Sequence, residues 1–309
     1  LRPAHMRGWL TWRSFVALTE VYTAPLNLAW LLMGASIAQY HYGQVNWANL
    51  ALFLATIILF DLAVNITDNY YDYMHARDRE GYARHTNVIG RLGLPLRGVW
   101  LLGLSLYILS LVPAFILLAR TGWPLAVLGV VGYGVGIFYA AGPSPINATP
   151  LCEAAVALSI TYLVQLVAVY LCVYGTRPLD WGLVGGTFLV CLPVGLVFFT
   201  IQLANNVADL DEDIRNGRRT LVFFLGRERS FIMMRVMQAL GAVTPILCAG
   251  LGLVPWQTAL SSLLLPVMWG LMRPFYSQPD KERTYLPLVG GASVFFVGYT
   301  LLLATGVWL

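Results

Sequence analysis

The chain has 309 residues, of which 58% are hydrophobic and only 11% charged, with a formal net charge of +4. Soluble domains carry roughly 25% charged residues, so the composition excludes an ordinary soluble enzyme. The small basic excess gives no footprint for nucleic acid. What remains is an all-α integral membrane protein whose first partner is the lipid bilayer, and with no polar linker the chain reads as one membrane domain over 1–309.

Taken in order, apolar runs near the ~20 residues that cross a bilayer fall at 16–39, 47–72, 97–119, 123–140, 151–174, 181–208, 230–253, 256–272 and 286–309. They predict about nine transmembrane helices. Between them stand turn signals such as HYGQ near His41, RTGWP near Arg120 and GPSPINATP from Gly142. The basic opening is no cleaved signal, because the apolar run after it is broken by Glu20, Pro25 and Asn27. Cys152, Cys172, Cys191 and Cys248 are scattered without C-x-x-C spacing, which argues against a zinc site or a disulfide framework.

Nine spans with the N-terminus inside leave only Arg120 and Arg177, of 19 lysines and arginines, on the outer side. Arg2, Arg7, Arg13, the 77–97 loop, the 215–235 region and the segment with Arg273, Lys281 and Arg283 share the other side. Loop arginines and lysines mark the cytoplasm. The expected setting is therefore a multi-pass protein of the inner (cytoplasmic) membrane with a cytoplasmic N-terminus.

Two polar stripes stand out. Asp61, Asn65, Asp68 and Asp72 follow at steps of 4, 3 and 4, and Gln202, Asn206, Asp209 and Asp213 repeat those steps. On a helix such steps keep four side chains on one face. Each stripe ends an apolar run beside an arginine-rich loop, at the second and sixth spans. That placement predicts a parallel tandem repeat, 16–140 and 151–272, with 286–309 as an extra helix and the stripes facing a central cavity.

Acids in a membrane span are costly and usually serve a site. Asp61 or Glu20 alone would do as a helix-packing hydrogen bonder; two quartets of identical spacing point to function. Asp68, Asp72 and Asp78 with Asp209, Asp211, Glu212 and Asp213 are too many acids to converge without cations between them. Hard oxygen ligands without histidine or thiolate suit Mg²⁺, which binds through one or two carboxylates and substrate phosphate oxygens. Arg77, Arg84, Arg91, Arg215, Arg218 and Arg219 would take the remaining phosphate charge. A metal diphosphate at the mouth of an apolar cavity implies a lipid tail between the helices. If the diphosphate leaves, Phe60, Tyr70, Tyr71, Phe138, Tyr139 and Phe199 are aromatics able to face the allylic cation.

These residues carry a family likeness over almost the whole chain, from WRSFVALTE at Trp12 to the last helix. The chain resembles the UbiA superfamily of intramembrane aromatic prenyltransferases, and most closely its MenA branch, the 1,4-dihydroxy-2-naphthoate polyprenyltransferases. The branch's first motif is matched by Asn65, Asp68, Tyr70, Asp72 and Asp78. Its second is matched by Asn205, Asn206, Asp209, Asp213, Gly217, Thr220 and Leu221, and the loop between by Tyr139, Gly142, Pro143, Pro145 and Glu153. Asp68 and Asn69 stand as if exchanged, Arg218 replaces the usual Lys, and Cys152 replaces the Gly before Glu153.

The resemblance implies Mg²⁺-dependent transfer of a polyprenyl group from an all-trans polyprenyl diphosphate to a naphthoate ring carbon with loss of CO2, in menaquinone biosynthesis, at a site facing the cytoplasm. Carried over by position, Asp68, Asp72, Asp78, Asp209 and Asp213 would hold the metal, with Asp72 and Asp209 central to catalysis. Asn65, Asn69, Arg77, Arg84, Asn206 and Arg218 would bind the diphosphate. Tyr139 and Glu153 would orient the aromatic acceptor. Other readings share some of these features: a prenyltransferase acting on 4-hydroxybenzoate, a tetrapyrrole or a glycerol phosphate lipid, a secondary transporter, or a degenerate homologue with a binding role.

Overall fold

The computed structural model describes residues 8–309, so Arg2 and Arg7, counted above for topology, lie outside the described residues. Every regular element in it is helical. Among the described residues eight helices are long and apolar enough to cross a membrane: Val21–Tyr42, Trp47–His75, Leu96–Thr121, Trp123–Ala140, Cys152–Val173, Trp181–Ala208, Leu221–Gly250 and Tyr285–Trp308.

Two expected spans come out differently. The first run is cut at Glu20, a non-glycine residue at φ 50°, into α1 (Trp12–Thr19) and, after a 3₁₀ turn, α2 (Leu26–Tyr42). Pro25 has no N–H to carry the helical ladder across this stretch, so the chain restarts at α2 after it. The eighth run is a 3₁₀ stretch, Trp256–Leu264, that passes into a 13-residue helix, Leu265–Ser277. Thr258 and Ser261 are buried within it and Pro266 sits at the entry of the helix. Apolar content alone does not report such a break.

The chain divides into two compact units. The first comprises residues up to Leu28, Ala51–Ala148 and Glu212–Arg218. Its core is built around α3 (Trp47–His75), where Leu62, Ala63 and Ile66 pack with Leu18, Ile89, Val99 and Leu106. Along α5 (Leu96–Thr121) the side chains of Ile108, Val112 and Phe115 are more than half exposed on one face. Such a continuous apolar face belongs against lipid rather than water. Then α6 (Trp123–Ala140) packs back on α3, with Tyr133 meeting the Phe60 ring at 4.6 Å and Ser110 at 2.7 Å.

At the end of α3 the chain needs a new start, and Asp78 provides it: its Oδ1 accepts from the Gly81 N–H at 2.8 Å and opens a π-helical turn, Arg79–Thr86. Asn87 caps the short helix α4 (Val88–Leu92) through the Ile89 N–H and ties it to α3 by donating to the Asn69 carbonyl at 2.9 Å.

The second unit comprises Ala29–Leu50, Thr149–Asp211 and Arg219–Leu309. It holds α7 (Cys152–Leu158), which runs through a π turn into α8 (Val164–Val173), then α9 (Trp181–Ala208) and α11 (Leu221–Gly250), bent at Gly226. The Leu265–Ser277 helix is α12, and α13 (Tyr285–Trp308) closes the unit. Phe275, Phe295, Phe296 and Tyr299 are fully buried, and the Tyr299 hydroxyl donates to the Val190 carbonyl at 2.8 Å. Gly34 is needed where α2 approaches α8, since a Cβ there would stand 2.6 Å from the Ala168 methyl.

Candidate functional site

In the first unit the polar stripe of α3 is laid out as its spacing predicts, and each member has a partner. Asn65 donates to the Thr19 carbonyl at 2.9 Å, fastening α3 to the end of α1. Asp68 Oδ1 and Asp72 Oδ1 both accept from a single donor, the Asn147 side-chain amide, at 3.1 Å each. Asn147 lies in the short turn after α6 and is buried. The other Asp72 oxygen accepts from the Tyr82 hydroxyl at 3.2 Å and stands 3.5 Å from Arg218 Nη1.

Arg218 brings the second acidic motif to the same place. Helix α10 (Leu210–Asn216) ends at Gly217, whose φ of 80° is a conformation glycine adopts without strain. A Cβ at that position would also fall 2.5 Å from the Arg77 guanidinium carbon. The turn sends Arg218 Nη1 to 3.4 Å from Asp213 Oδ1 while the Arg218 N–H donates to the Asp213 carbonyl at 2.9 Å. One guanidinium thus joins a carboxylate of each motif.

Burial works against charge on Arg218, but Asp72, Asp213 and Asp68 outweigh it and push its pKa above the usual arginine value. It stays a cation. The Tyr82 phenol is held protonated, with a pKa above the ordinary tyrosine value, first by burial and then by the Asp72 charge. It therefore acts as a donor.

Around this centre the chain is fastened by Asn216, whose side-chain oxygen accepts from the backbone N–H groups of Arg77 and Asp78 at 3.0 and 3.1 Å. Asp78 caps the π turn and lies 3.9 Å from Arg215. The Arg77 side chain lies over Gly217. Arg84 pairs instead with Glu80 at 3.3 Å on the surface, and Asn69 turns back to its own helix, donating to the Asn65 carbonyl. Tyr139, near the end of α6, adds its field to that acting on Arg218.

In the second unit the helix stops one residue before the third member of its stripe. Asp209 is the C-cap of α9 rather than a residue inside it, and Asp213 belongs to α10 in the first unit, so the second quartet does not continue along one helix as the spacing implies. Asn206 is buried and donates to Glu153 Oε1 at 2.8 Å, whereas Oε2 of the fully buried Glu153 has no protein partner. Asp209 pairs with Lys281, and Asn205 Oδ1 accepts from the same ammonium at 2.6 Å.

Tyr82, Asn147, Asn216 and Lys281 are the contacts that spacing did not announce. The only sequence signals were that Lys281 is the sole lysine and that Asn147 stands in the GPSPINATP turn.

A cation fits the arrangement in the first unit. Asp68 and Asp72 each turn one oxygen to the Asn147 amide, close enough together to share one donor, and the ligand atoms they offer are carboxylate oxygens. That all-oxygen set suits Mg²⁺. Among the described residues no three Asp, Glu, His or Cys side chains converge on a metal position. An ion held by two carboxylates keeps places for phosphate oxygens.

Comparison with known proteins agrees with this chemistry. The model described as the UbiA prenyltransferase family matches residues 27–297. The chain is 26% identical over 237 residues, 74% of its length and 69% of the relative's, to the 1,4-dihydroxy-2-naphthoate octaprenyltransferase of Bacillus subtilis (strain 168). Its fold is similar to that of the apo UbiA homolog from Aeropyrum pernix K1, with a TM-score of 0.69 at 16% identity over 90% of this chain and 97% of that one. It is also similar to the UbiA homolog from Archaeoglobus fulgidus bound to GPP and Mg²⁺, with a TM-score of 0.56 at 14% identity over 94% and 99%.

Proposed function

Because the chain belongs to the UbiA prenyltransferase family, and so is a transferase of prenyl groups, we propose that it moves a polyprenyl group from an all-trans polyprenyl diphosphate to 1,4-dihydroxy-2-naphthoate. The reaction is Mg²⁺-dependent, releases CO2 and yields a demethylmenaquinol. The observation that carries the diphosphate half is the meeting of Asp68, Asp72 and Asp213 around Arg218 and Asn147. Similarity to the Bacillus subtilis enzyme supports the choice of acceptor.

Asp68 and Asp72 would hold the metal, and Asn147 sets the spacing of the two carboxylates by bridging them. When bound, Mg²⁺ supplies positive charge to the diphosphate oxygens as the carbon–oxygen bond breaks. Arg218, fixed as a cation, gives up part of its pairing to a phosphate oxygen. Tyr82 donates from the side of the π turn. By their motif positions Asp78, Asp209 and Asp213 are assigned to the metal, and Asn65, Asn69, Arg77, Arg84 and Asn206 to the substrate. Tyr139 and Glu153 are assigned to the acceptor by their places in the loop motif. The excess of arginine in one set of loops supports a site on the cytoplasmic side of the inner membrane.

The test is a competition in which purified protein receives Mg²⁺, geranylgeranyl diphosphate and equal amounts of 1,4-dihydroxy-2-naphthoate and 4-hydroxybenzoate. Mass analysis of the extracted lipid should show the decarboxylated naphthoate product in large excess. Prenylated 4-hydroxybenzoate as the main product would move the acceptor and keep the reaction class.

A further inference from the structure

Lys281 is the only lysine in a chain whose other 18 of 19 basic residues are arginines. It sits at the tip of the 278–284 loop between α12 and α13, and that loop is held in shape from within. Asp280 Oδ1 accepts from the N–H groups of Glu282 and Arg283 at 2.9 and 2.8 Å. Thr284 accepts from the Asp280 N–H at 3.0 Å and donates to the Gln278 carbonyl at 2.6 Å. The built loop delivers the ammonium to Asp209 and to Asn205 Oδ1, one helical turn apart at the end of α9.

The pair has little to offer stability. The Lys281 side chain is 46% exposed, and exposed ion pairs stabilise by about 0–1 kcal/mol. Yet the cation lies against the single acid of the second stripe that remains at the end of α9, with the Tyr285 ring 5.4 Å away on its other side. A lysine offers what arginine does not: a compact charge with three donors on a flexible four-carbon stem, able to exchange one oxygen ligand for another.

We propose that Lys281 is a phosphate-binding residue at the end of α9, where it meets Asp209 and Asn205. Its ammonium, held by Asp209 and Asn205, exchanges the carboxylate for a phosphate oxygen of the Mg²⁺ diphosphate. The ligand chemistry it reads is a diphosphate monoester carried by a divalent cation. This inference rests on the reading of Asp209 as part of the diphosphate site.

Because there is one lysine, an amine-acylating reagent followed by peptide mass analysis reports on Lys281 alone, apart from the N-terminus. The full chain in phosphatidylcholine nanodiscs is labelled in buffer, with Mg²⁺, with Mg²⁺ and inorganic pyrophosphate, and with Mg²⁺ and geranylgeranyl diphosphate. Binding of pyrophosphate is followed separately by calorimetry. Labelling should be several-fold faster in Asp209→Asn than in the wild type, and several-fold slower in either diphosphate arm than with Mg²⁺ alone.

Lys281→Met should weaken pyrophosphate binding about tenfold, the size of one charged hydrogen bond, and raise the KM for the prenyl diphosphate while leaving the KM for the acceptor. Pyrophosphate that binds without changing the labelling, or that binds Lys281→Met as well as the wild type, overturns the proposal and leaves the reaction intact. A wild type that binds no pyrophosphate overturns both this inference and the diphosphate reading beneath it.

Discussion

Arg218 stands 3.5 Å from Asp72, and through that contact the second acidic motif of the sequence reaches the first. The same guanidinium nitrogen lies 3.4 Å from Asp213. A half-buried cation thus balances carboxylates that would otherwise repel one another across a short distance, which is how so acidic a centre is tolerated in an apolar chain.

Asp72 accepts from Asn147 and Tyr82 and lies beside Arg218. Asp72→Asn keeps its shape and removes its charge. We expect kcat/KM to fall by roughly 10²–10³, the range seen when one preorganised electrostatic group is lost, with near-native helicity by circular dichroism. Asp213→Asn should follow the same direction.

Arg218→Lys preserves charge but not the planar guanidinium whose Nη1 lies against both Asp72 and Asp213. The expected result is about a tenfold rise in the KM for the prenyl diphosphate with a smaller change in the KM for the acceptor. Steady-state kinetics varying one substrate at a time separate the two.

Asn147→Leu removes the amide that bridges Asp68 and Asp72 and leaves both oxygens without that donor. A loss of about 1–3 kcal/mol in stability is expected for a buried hydrogen-bonding group, read as a lower thermal midpoint in detergent. The Mg²⁺ concentration for half-maximal activity should rise several-fold, because the two carboxylates are no longer held at a set spacing.

Gly217→Ala tests the turn. Its positive φ costs an alanine about 1–2 kcal/mol, and the new methyl meets the Arg77 guanidinium. We expect weaker diphosphate binding together with a lower thermal midpoint, since Arg218 is delivered by this residue.

The helical framework was legible because bilayer-spanning runs are long and apolar, and the runs at 123–140 and 181–208 match Trp123–Ala140 and Trp181–Ala208 residue for residue. The α3 stripe was legible for the same reason, as local periodicity places Asp68 and Asp72 one turn apart. Where the reading departed, the cause was non-local or stereochemical. Glu20 stops a helix that apolar content would continue, and α9 ends at Ala208, so Asp213 is placed by the α10 turn rather than by helical register. Tyr82 and Asn147 entered the site only when the chain had folded: one is presented by a π turn that Asp78 starts, the other by a turn after α6. No spacing rule joins Asn147 to residues of a helix that ends more than seventy positions earlier.

The most direct measurement is product formation by the purified chain from geranylgeranyl diphosphate and 1,4-dihydroxy-2-naphthoate, with Mg²⁺ or with excess EDTA, beside Asp72→Ala and Asp209→Ala. The account predicts a prenylated, decarboxylated naphthoquinol and stoichiometric pyrophosphate from the wild type with Mg²⁺, and neither with EDTA or from either variant. Consumption of diphosphate that persists in EDTA or in Asp72→Ala, or none in the wild type with any acceptor, would contradict it.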